Sequence, residues 1–179
     1  MKRVALFFLL AGIISCSKDD TSTDNTCSNY VKGDVLVGIK NTASMEDAFS
    51  LFNGLDLKID EMSGFFYTSP FPADSLPNLI AYLNTKPYIN ARGFSANGSY
   101  IHYQTGEINI APLFFDMTIN NQKDWISTKK SLKISAGDAE KNVLIKVTPG
   151  TEQSWLKKLK NYNIVTWTEL NCFAEIIPL

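Results

Sequence analysis

Histidine is almost missing from this 179-residue chain, in which His102 is the only one. A catalytic triad could therefore be completed only through His102, and no G-x-S-x-G nucleophile elbow is present. The sequence also lacks a glycine-rich phosphate-binding loop, since neither G-x-G-x-x-G nor the Walker pattern occurs. No cysteine and histidine stand at the spacing of zinc ligands. These absences predict a chain that is not an enzyme and that holds no cofactor and no metal.

Charge of one sign is not concentrated anywhere in the chain. Lysine and arginine number 17 against 18 acidic residues, which gives a formal net charge of −1. Beyond the first three residues, the only adjacent basic pairs are Lys129-Lys130 and Lys157-Lys158. A protein that binds nucleic acid usually carries a basic stripe or patch. The charge pattern therefore predicts no nucleic-acid partner.

Long apolar runs are missing too, with one exception at the N-terminus. Residues 4–14 are apolar except for Gly12, and they follow Lys2 and Arg3. A transmembrane helix needs about 20 apolar residues, roughly twice the length of this run. A basic start, a short apolar core and a small residue (Ser15) are typical of a secretory signal. We therefore expect residues 1–15 to be removed on export.

The end of this run, Ile13-Ile14-Ser15-Cys16, resembles the lipobox of bacterial lipoproteins. In that family the chain is cut before the cysteine, which carries the lipid and becomes the new N-terminus. The resemblance implies lipidation of Cys16 and a lipid-anchored protein in the outer membrane of a Gram-negative cell envelope. An ordinary secretory signal with a free cysteine nearby is the alternative.

The segment after Cys16 is polar. Residues 17–26 contain no apolar side chain, so we predict a flexible tether within residues 16–33. Within it, residues 18–20 (Lys-Asp-Asp) resemble a signal that sends lipoproteins to the cell surface in some Gram-negative groups. A solvated tether without such a signal is the alternative. Cleavage before Cys16 would leave 164 residues with 15 basic and 18 acidic side chains.

Besides Cys16 the chain has only two cysteines, Cys27 and Cys172. In an oxidising envelope compartment such a pair favours a disulfide. The bridge would join the end of the tether to the last β-segment and close a loop of nearly the whole chain. A buried free Cys172 with an exposed Cys27 is the alternative.

The body alternates strand and helix patterns, which predicts an α+β fold. Strand-like runs occupy residues 34–40, 55–62, 65–71 and 88–94. Helical spacing follows a Ser44 cap, and again follows a cap at Asp74 or Ser75. The order βαββαβ is that of the ferredoxin-like arrangement.

A second copy of part of this unit is predicted at the C-terminus. Residues 34–71 align without gaps on residues 142–179, with identities that include Leu36/Leu144 and Glu61/Glu169. We interpret the match as an internal duplication; two unrelated stretches with the same periodicity are the alternative. Two ferredoxin-like antiparallel sandwiches follow, one over residues 34–97 and the other over residues 98–179. The second includes a hairpin at 99–111 and a helix at 124–134 capped by Asp124.

Other residues have ordinary explanations. His102 stands between aromatic residues in a predicted strand, and Asp60, Glu61 and Glu169 lie at predicted strand ends. The aromatic runs at residues 65–67 and 114–115 fit a core at strand periodicity, with some rings available for an exposed patch. Residues 74–76 (Asp-Ser-Leu) resemble a short acceptor motif for bacterial O-glycosylation, although helix capping explains the same residues.

The βαββαβ order of residues 34–94 resembles the inhibitor and propeptide domains of subtilisin-type proteases. Those domains lay a sheet face and a C-terminal tail on the enzyme, whereas residues 174–179 have a strand pattern here. The sequence therefore supports two hypotheses. The first is a non-catalytic, lipid-anchored module that binds a protein partner in the envelope. The second is an inhibitor or propeptide-like chaperone of a subtilisin-type protease.

Overall fold

The α+β class is confirmed in a computed structural model that describes Cys27 and residues 29–89, 98–137 and 139–173. Two antiparallel sheets lie within these residues, together with four α-helices. The strands are β1 (Tyr30–Ile39), β2 (Lys58–Ser63), β3 (Tyr67–Ser69), β4 (Tyr100–Ile101), β5 (Ile108–Ile110), β6 (Phe114–Phe115), β7 (Ser135–Ala136), β8 (Lys141–Lys146) and β9 (Val165–Cys172). The helices are α1 (Met45–Gly54), α2 (Leu76–Leu83), α3 (Ile119–Ser131) and α4 (Glu152–Leu159).

The larger sheet has the strand order β6-β2-β8-β1-β9. Strand β8 runs antiparallel to both β1 and β2, so β1 and β2 are parallel to each other and separated by one strand. Helix α1 connects β1 to β2, and α4 connects β8 to β9. These two βαβ segments therefore interlock into one βαββαβ unit, the ferredoxin-like arrangement.

The structure divides the chain differently from the predicted boundary between residues 34–97 and 98–179. The larger sheet takes β1 and β2 from the first range and β8 and β9 from the second, because β8 pairs with β1 and β2 on its two sides. The smaller sheet, β4-β5-β3-β7, lies with α2 and α3 in the long connection between β2 and β8. This connection is an insertion into the ferredoxin-like unit.

The strand predicted at residues 88–94 is not formed where the structure describes it. Tyr88 and Ile89 lie in a turn, and residues 90–94 lie outside the described residues. The positions on either side of β1, where such a strand would pair, are taken by β8 and β9.

The register of β1 and β8 bears on the predicted duplication. Leu36 pairs with Leu144, and these are aligned residues of the two copies. Glu169 lies opposite Leu36, and Glu61 lies opposite Leu144, so the aligned glutamates occupy equivalent places on the two sides. The two segments are thus related by a local twofold axis near the leucine pair. Common origin of the two segments remains a prediction.

One apolar core joins the ferredoxin-like unit to the insertion. Trp125 of α3 is fully buried, with its ring 4.7 Å from that of Phe114 and 5.2 Å from that of Tyr67 between ring centroids. The indole Nε1 of Trp125 donates a hydrogen bond of 3.3 Å to the Tyr67 hydroxyl, which satisfies both buried polar groups. The Tyr67 hydroxyl also donates to Met45 Sδ of α1 at 3.5 Å, and the buried residues of both parts form one cluster, so the insertion is packed into the core of the unit that carries it.

Helix α3 starts earlier than the predicted cap at Asp124. Thr118 has extended backbone angles and its hydroxyl accepts from the amide of Asn121, so Thr118 is the N-cap. Asp124 lies inside the helix, where its carboxylate accepts hydrogen bonds from the Tyr88 hydroxyl (2.6 Å) and from Lys86 Nζ (2.9 Å). These two bonds hold the pKa of Asp124 below its ordinary value. They tie the chain after α2 to α3.

The predicted cap of α1 is confirmed, since Ser44 and Asp47 form a reciprocal capping box. At α4 a buried carboxylate has a comparable role. Glu152 accepts hydrogen bonds from the amides of Gly33 (2.7 Å) and Gly150 (2.8 Å), which pins the first part of β1 to the start of α4.

The two ends of the insertion touch at Gly64, which has a φ of +77°. A Cβ atom there would lie 2.0 Å from the carbonyl oxygen of Glu140, at the point where the chain returns to β8. We predict that Gly64→Ala lowers the free energy of unfolding by about 1–3 kcal/mol for the clash, in addition to about 1–2 kcal/mol for the left-handed backbone. Urea denaturation measures the loss.

Gly106→Ala is the matched control, because Gly106 also has a positive φ (+71°) but has nothing within 4 Å of its Cβ position. This control should show the backbone cost alone. Equal losses for the two variants would contradict the close contact between the ends of the insertion.

Candidate interaction surface

The larger sheet has one face under helices and one face that points away from them. Val35 and Val37 are fully buried, and α4 packs on β1 and β9. Since side chains alternate along a strand, Leu36 points to the opposite face, as does its partner Leu144. Both leucines are only half-buried. We call this side the open face and define it by Leu36, Gly38, Glu61, Asn142, Leu144, Trp167 and Glu169.

An indole ring lies flat on one end of the open face. A Cβ atom at Gly38 would be 2.3 Å from Nε1 of Trp167, so the ring rests directly on the glycine backbone. The same Nε1 donates a hydrogen bond of 3.3 Å to Glu140. Gly38 thus provides the space for a half-buried tryptophan beside the leucine pair. Tryptophan on such a surface is enriched among residues that dominate binding energy.

The other end of the open face carries an ion cluster. Lys146 Nζ lies 2.6 Å from Asp34 Oδ1 and 3.4 Å from Asp60 Oδ2, and both carboxylates are buried with 3% exposure. Asn171 donates a further hydrogen bond of 2.9 Å to Asp34. Burial lowers the pKa of Lys146, but the hydrogen bond to Asp34 and the charge of Asp60 outweigh it and raise that pKa overall.

This cluster is structural in its chemistry. The ammonium of Lys146 is held in its charged form, so it is not poised to exchange a proton near neutral pH. The cluster also accounts for Asp60, which the sequence places at a strand end but which the structure buries at an irregularity between β2 and β8. Among the described residues, no group of three or more histidine, cysteine or acidic side chains is placed to hold a metal ion.

The open face thus has an apolar centre and a tryptophan, with acidic and polar residues around them. Leu36 and Leu144 form the centre, and Glu169 and Glu61 flank them on the adjacent strands. The sequence did not reveal the leucine pair as a surface, because the β1 run is apolar on both faces and lacks the alternation that marks an exposed side.

The only histidine lies in the turn between β4 and β5. The ring of His102 stacks on Tyr103 at 5.5 Å between centroids, and its Nδ1 lies 3.3 Å from the Thr105 hydroxyl. That hydroxyl in turn donates to Glu107 at 3.0 Å. All these contacts span at most three residues along the hairpin, so they close the turn. His102 does not line the cavities beside α1, α2 and α3.

The predicted aromatic clusters separate into core and surface. Phe65, Tyr67, Phe114 and Phe115 are buried, in agreement with strand periodicity. The large exposed rings are Phe66 between β2 and β3, Phe71 and Tyr82 around α2, Tyr100 and Tyr103 on the hairpin, and Phe173 after β9. The exposed aromatic groups are thus spread over several places on the described surface.

The structure joins Cys27 to Cys172 in a disulfide with 6.0 Å between the Cα atoms. Cys172 is the last residue of β9 and pairs with Tyr30 at the start of β1. The bridge therefore closes the end of the sheet at which the predicted tether arrives. Cys16 lies outside the described residues, and none of the helices described is long and apolar enough to cross a membrane.

The bridge spans 145 residues of sequence. In the chain-entropy model a loop of that size stabilises the folded state by about 5 kcal/mol. We predict that Cys27→Ser with Cys172→Ser lowers the urea midpoint strongly, and that reductant lowers the midpoint of the wild type to the same level. Reductant should not change the double variant. A wild type that is insensitive to reductant would contradict the bridge.

No protein-family model, no curated protein and no solved structure matches this chain.

Proposed function

We propose that the chain is a lipid-anchored lipoprotein of the bacterial cell envelope, whose folded body is a non-catalytic module that binds a protein partner. Its anchor is the lipid on Cys16 in the outer membrane, with the body exposed at the cell surface. The observation that carries the binding role is the open face, where Leu36, Leu144 and Trp167 remain half-buried on the side of the sheet away from α4. Half-buried apolar groups gathered on one face favour a partner surface.

The Cys27–Cys172 bridge supports the envelope location. Disulfides persist in oxidising compartments and are rare in the cytosol. Ten residues separate Cys16 from Cys27. A flexible tether of that length reaches roughly 16–19 Å on average, so the lipid would hold the body close to the membrane.

The anchor is tested by the mass of the natively expressed protein. We expect a chain that starts at Cys16 and carries two or three acyl chains, because one chain alone binds a bilayer only reversibly. Cys16→Ala should lack the lipid and lose partition into the detergent phase. Cys27→Ser is the control for loss of a cysteine and should keep the lipid. An unmodified, water-soluble wild type would reject the anchor.

The binding role is tested by changing the open face alone. Leu36→Thr with Leu144→Thr removes the apolar centre and places β-branched threonines there, which strands accommodate well. We expect a partner cross-linked in the native envelope to be lost by at least tenfold in this variant. Ile126→Thr is the control, since Ile126 is exposed on α3 away from the sheet. Equal recovery with all three proteins, or recovery of no partner, would reject this surface.

A second candidate is an inhibitor or propeptide-like chaperone of a subtilisin-type protease. The observation that favours it is the βαββαβ order of β1-α1-β2 and β8-α4-β9, since the domains of that class present a sheet face to the enzyme. The two candidates are distinguished by the rate at which a subtilisin-type enzyme hydrolyses a peptide substrate. An inhibitor slows hydrolysis of a peptide substrate by a subtilisin-type enzyme, and the leucine double variant would relieve that inhibition. A binding module leaves the rate unchanged.

A further inference from the structure

Ser75 differs from the capping residues of α1 and α3, but it resembles Thr151 before α4, which also has a helical backbone and makes no side-chain capping bond. Ser44 and Thr118 have extended backbone angles, and each hydroxyl accepts from an amide in the first turn. Ser75 has a φ of −76° and a ψ of −13°, a helical conformation, and its side chain makes no capping bond. An N-cap requires a non-helical backbone so that the hydroxyl can turn back to the amides. Ser75 occupies the predicted N-cap position of α2, but its hydroxyl makes no capping bond, so capping does not account for that hydroxyl.

Ser75 is one of the residues that line a groove beside α2. The groove has a volume of about 260 Å³ and lies between α2 and the end of α3; its lining residues are Phe71, Ser75, Asn78, Leu79, Tyr82 and Leu132. Two large rings border it and remain exposed, Phe71 at 38% and Tyr82 at 41%. The groove thus combines two aromatic rings with the amide of Asn78 and a serine hydroxyl.

These groups match the chemistry of a sugar. The C–H faces of a pyranose pack against aromatic rings, and its hydroxyls exchange hydrogen bonds with an amide that offers both donors and an acceptor. The volume of the groove, about 260 Å³, is below the roughly 300–1,000 Å³ of pockets for drug-sized ligands, which favours a small occupant such as one sugar unit over an extended peptide.

The sequence beside the groove carries the acceptor resemblance. Asp74, Ser75 and Leu76 form the Asp-Ser-Leu motif, and Asp74 is exposed at the surface. The preceding residues 70–72 are exposed and include two prolines, which keep them out of regular helix or sheet. A modifying enzyme can therefore reach this stretch from solvent.

We propose that Ser75 is an O-glycosylation site and that the first sugar lies in the groove between Phe71 and Tyr82. The donor is a sugar activated as a glycosyl phosphate or pyrophosphate, which a separate transferase supplies. The Ser75 oxygen forms the new bond to the anomeric carbon. The bond from that carbon to the phosphate oxygen breaks, the phosphate leaves with the electron pair, and the serine proton passes to a base of the transferase.

Attachment is tested on the natively expressed full chain by the mass of the tryptic peptide that contains Ser75. We expect this peptide to carry whole sugar increments, localised to Ser75 by fragmentation. Ser75→Ala and Asp74→Asn should both lose the increments, the second because the motif is no longer complete. Ser154→Ala is the control, since Ser154 is an exposed serine of α4 without a preceding aspartate.

An unmodified wild-type peptide would overturn attachment, and so would increments that persist in Ser75→Ala. The lipid on Cys16 is read on a different peptide. One tryptic digest therefore distinguishes a protein that lacks the glycan from one that lacks the lipid.

The position of the sugar in the groove is tested by how strongly the groove protects the sugar from enzymatic removal. Tyr82→Ala should keep the sugar increment. Once the glycan is trimmed to its first sugar, a glycosidase should remove that sugar several-fold faster from this variant, because one of the two rings is gone. Tyr103→Ala removes an equally large ring that is 87% exposed on the hairpin, so its rate should equal that of the wild type. Equal rates for Tyr82→Ala and the wild type would overturn seating in the groove.

Discussion

The pairing of β8 between β1 and β2 is the constraint on which the rest of the structure depends. It makes a distant segment complete the sheet that β1 and β2 begin. The insertion must then leave and return at one place, where Gly64 touches the backbone of Glu140. The same pairing brings Leu36 opposite Leu144 and so creates the centre of the open face. Fold, insertion and candidate surface thus have one cause.

The two proposed sites lie on different parts of this architecture. The open face belongs to the ferredoxin-like unit, whereas the groove at Ser75 belongs to the insertion, between α2 and the end of α3. The shared core around Trp125 holds the two parts together, so neither site depends on a mobile junction between separate sheets. A glycan on the insertion and a partner on the open face could be present in one molecule, because the two sites share no residue.

Local patterns in the sequence predicted the helices and strands well, but they did not predict which distant strands pair with each other. The Ser44 cap, the strand and helix after it and the hairpin at residues 99–111 follow from periodicity and turn residues, which act over a few positions. The choice of β8 as the neighbour of β1 involves about 100 intervening residues and leaves no local trace. The capping bond expected from Ser75 is not formed for a related reason. The backbone conformation of Ser75 is set by the 3₁₀ turn before α2 and not by its side chain.

The bridge between Cys27 and Cys172 affects how the fold would resist a pull on its N-terminal side. Without it, a pull on the N-terminal segment would act on β1 alone, beginning at Tyr30, and could peel that strand from its neighbours one hydrogen bond at a time. With it, the load at Cys27 passes through a covalent bond into β9 as well, at the end of the sheet where the two strands pair. Both strands then share a force applied at Cys27, before the first backbone hydrogen bonds of β1 have to carry it.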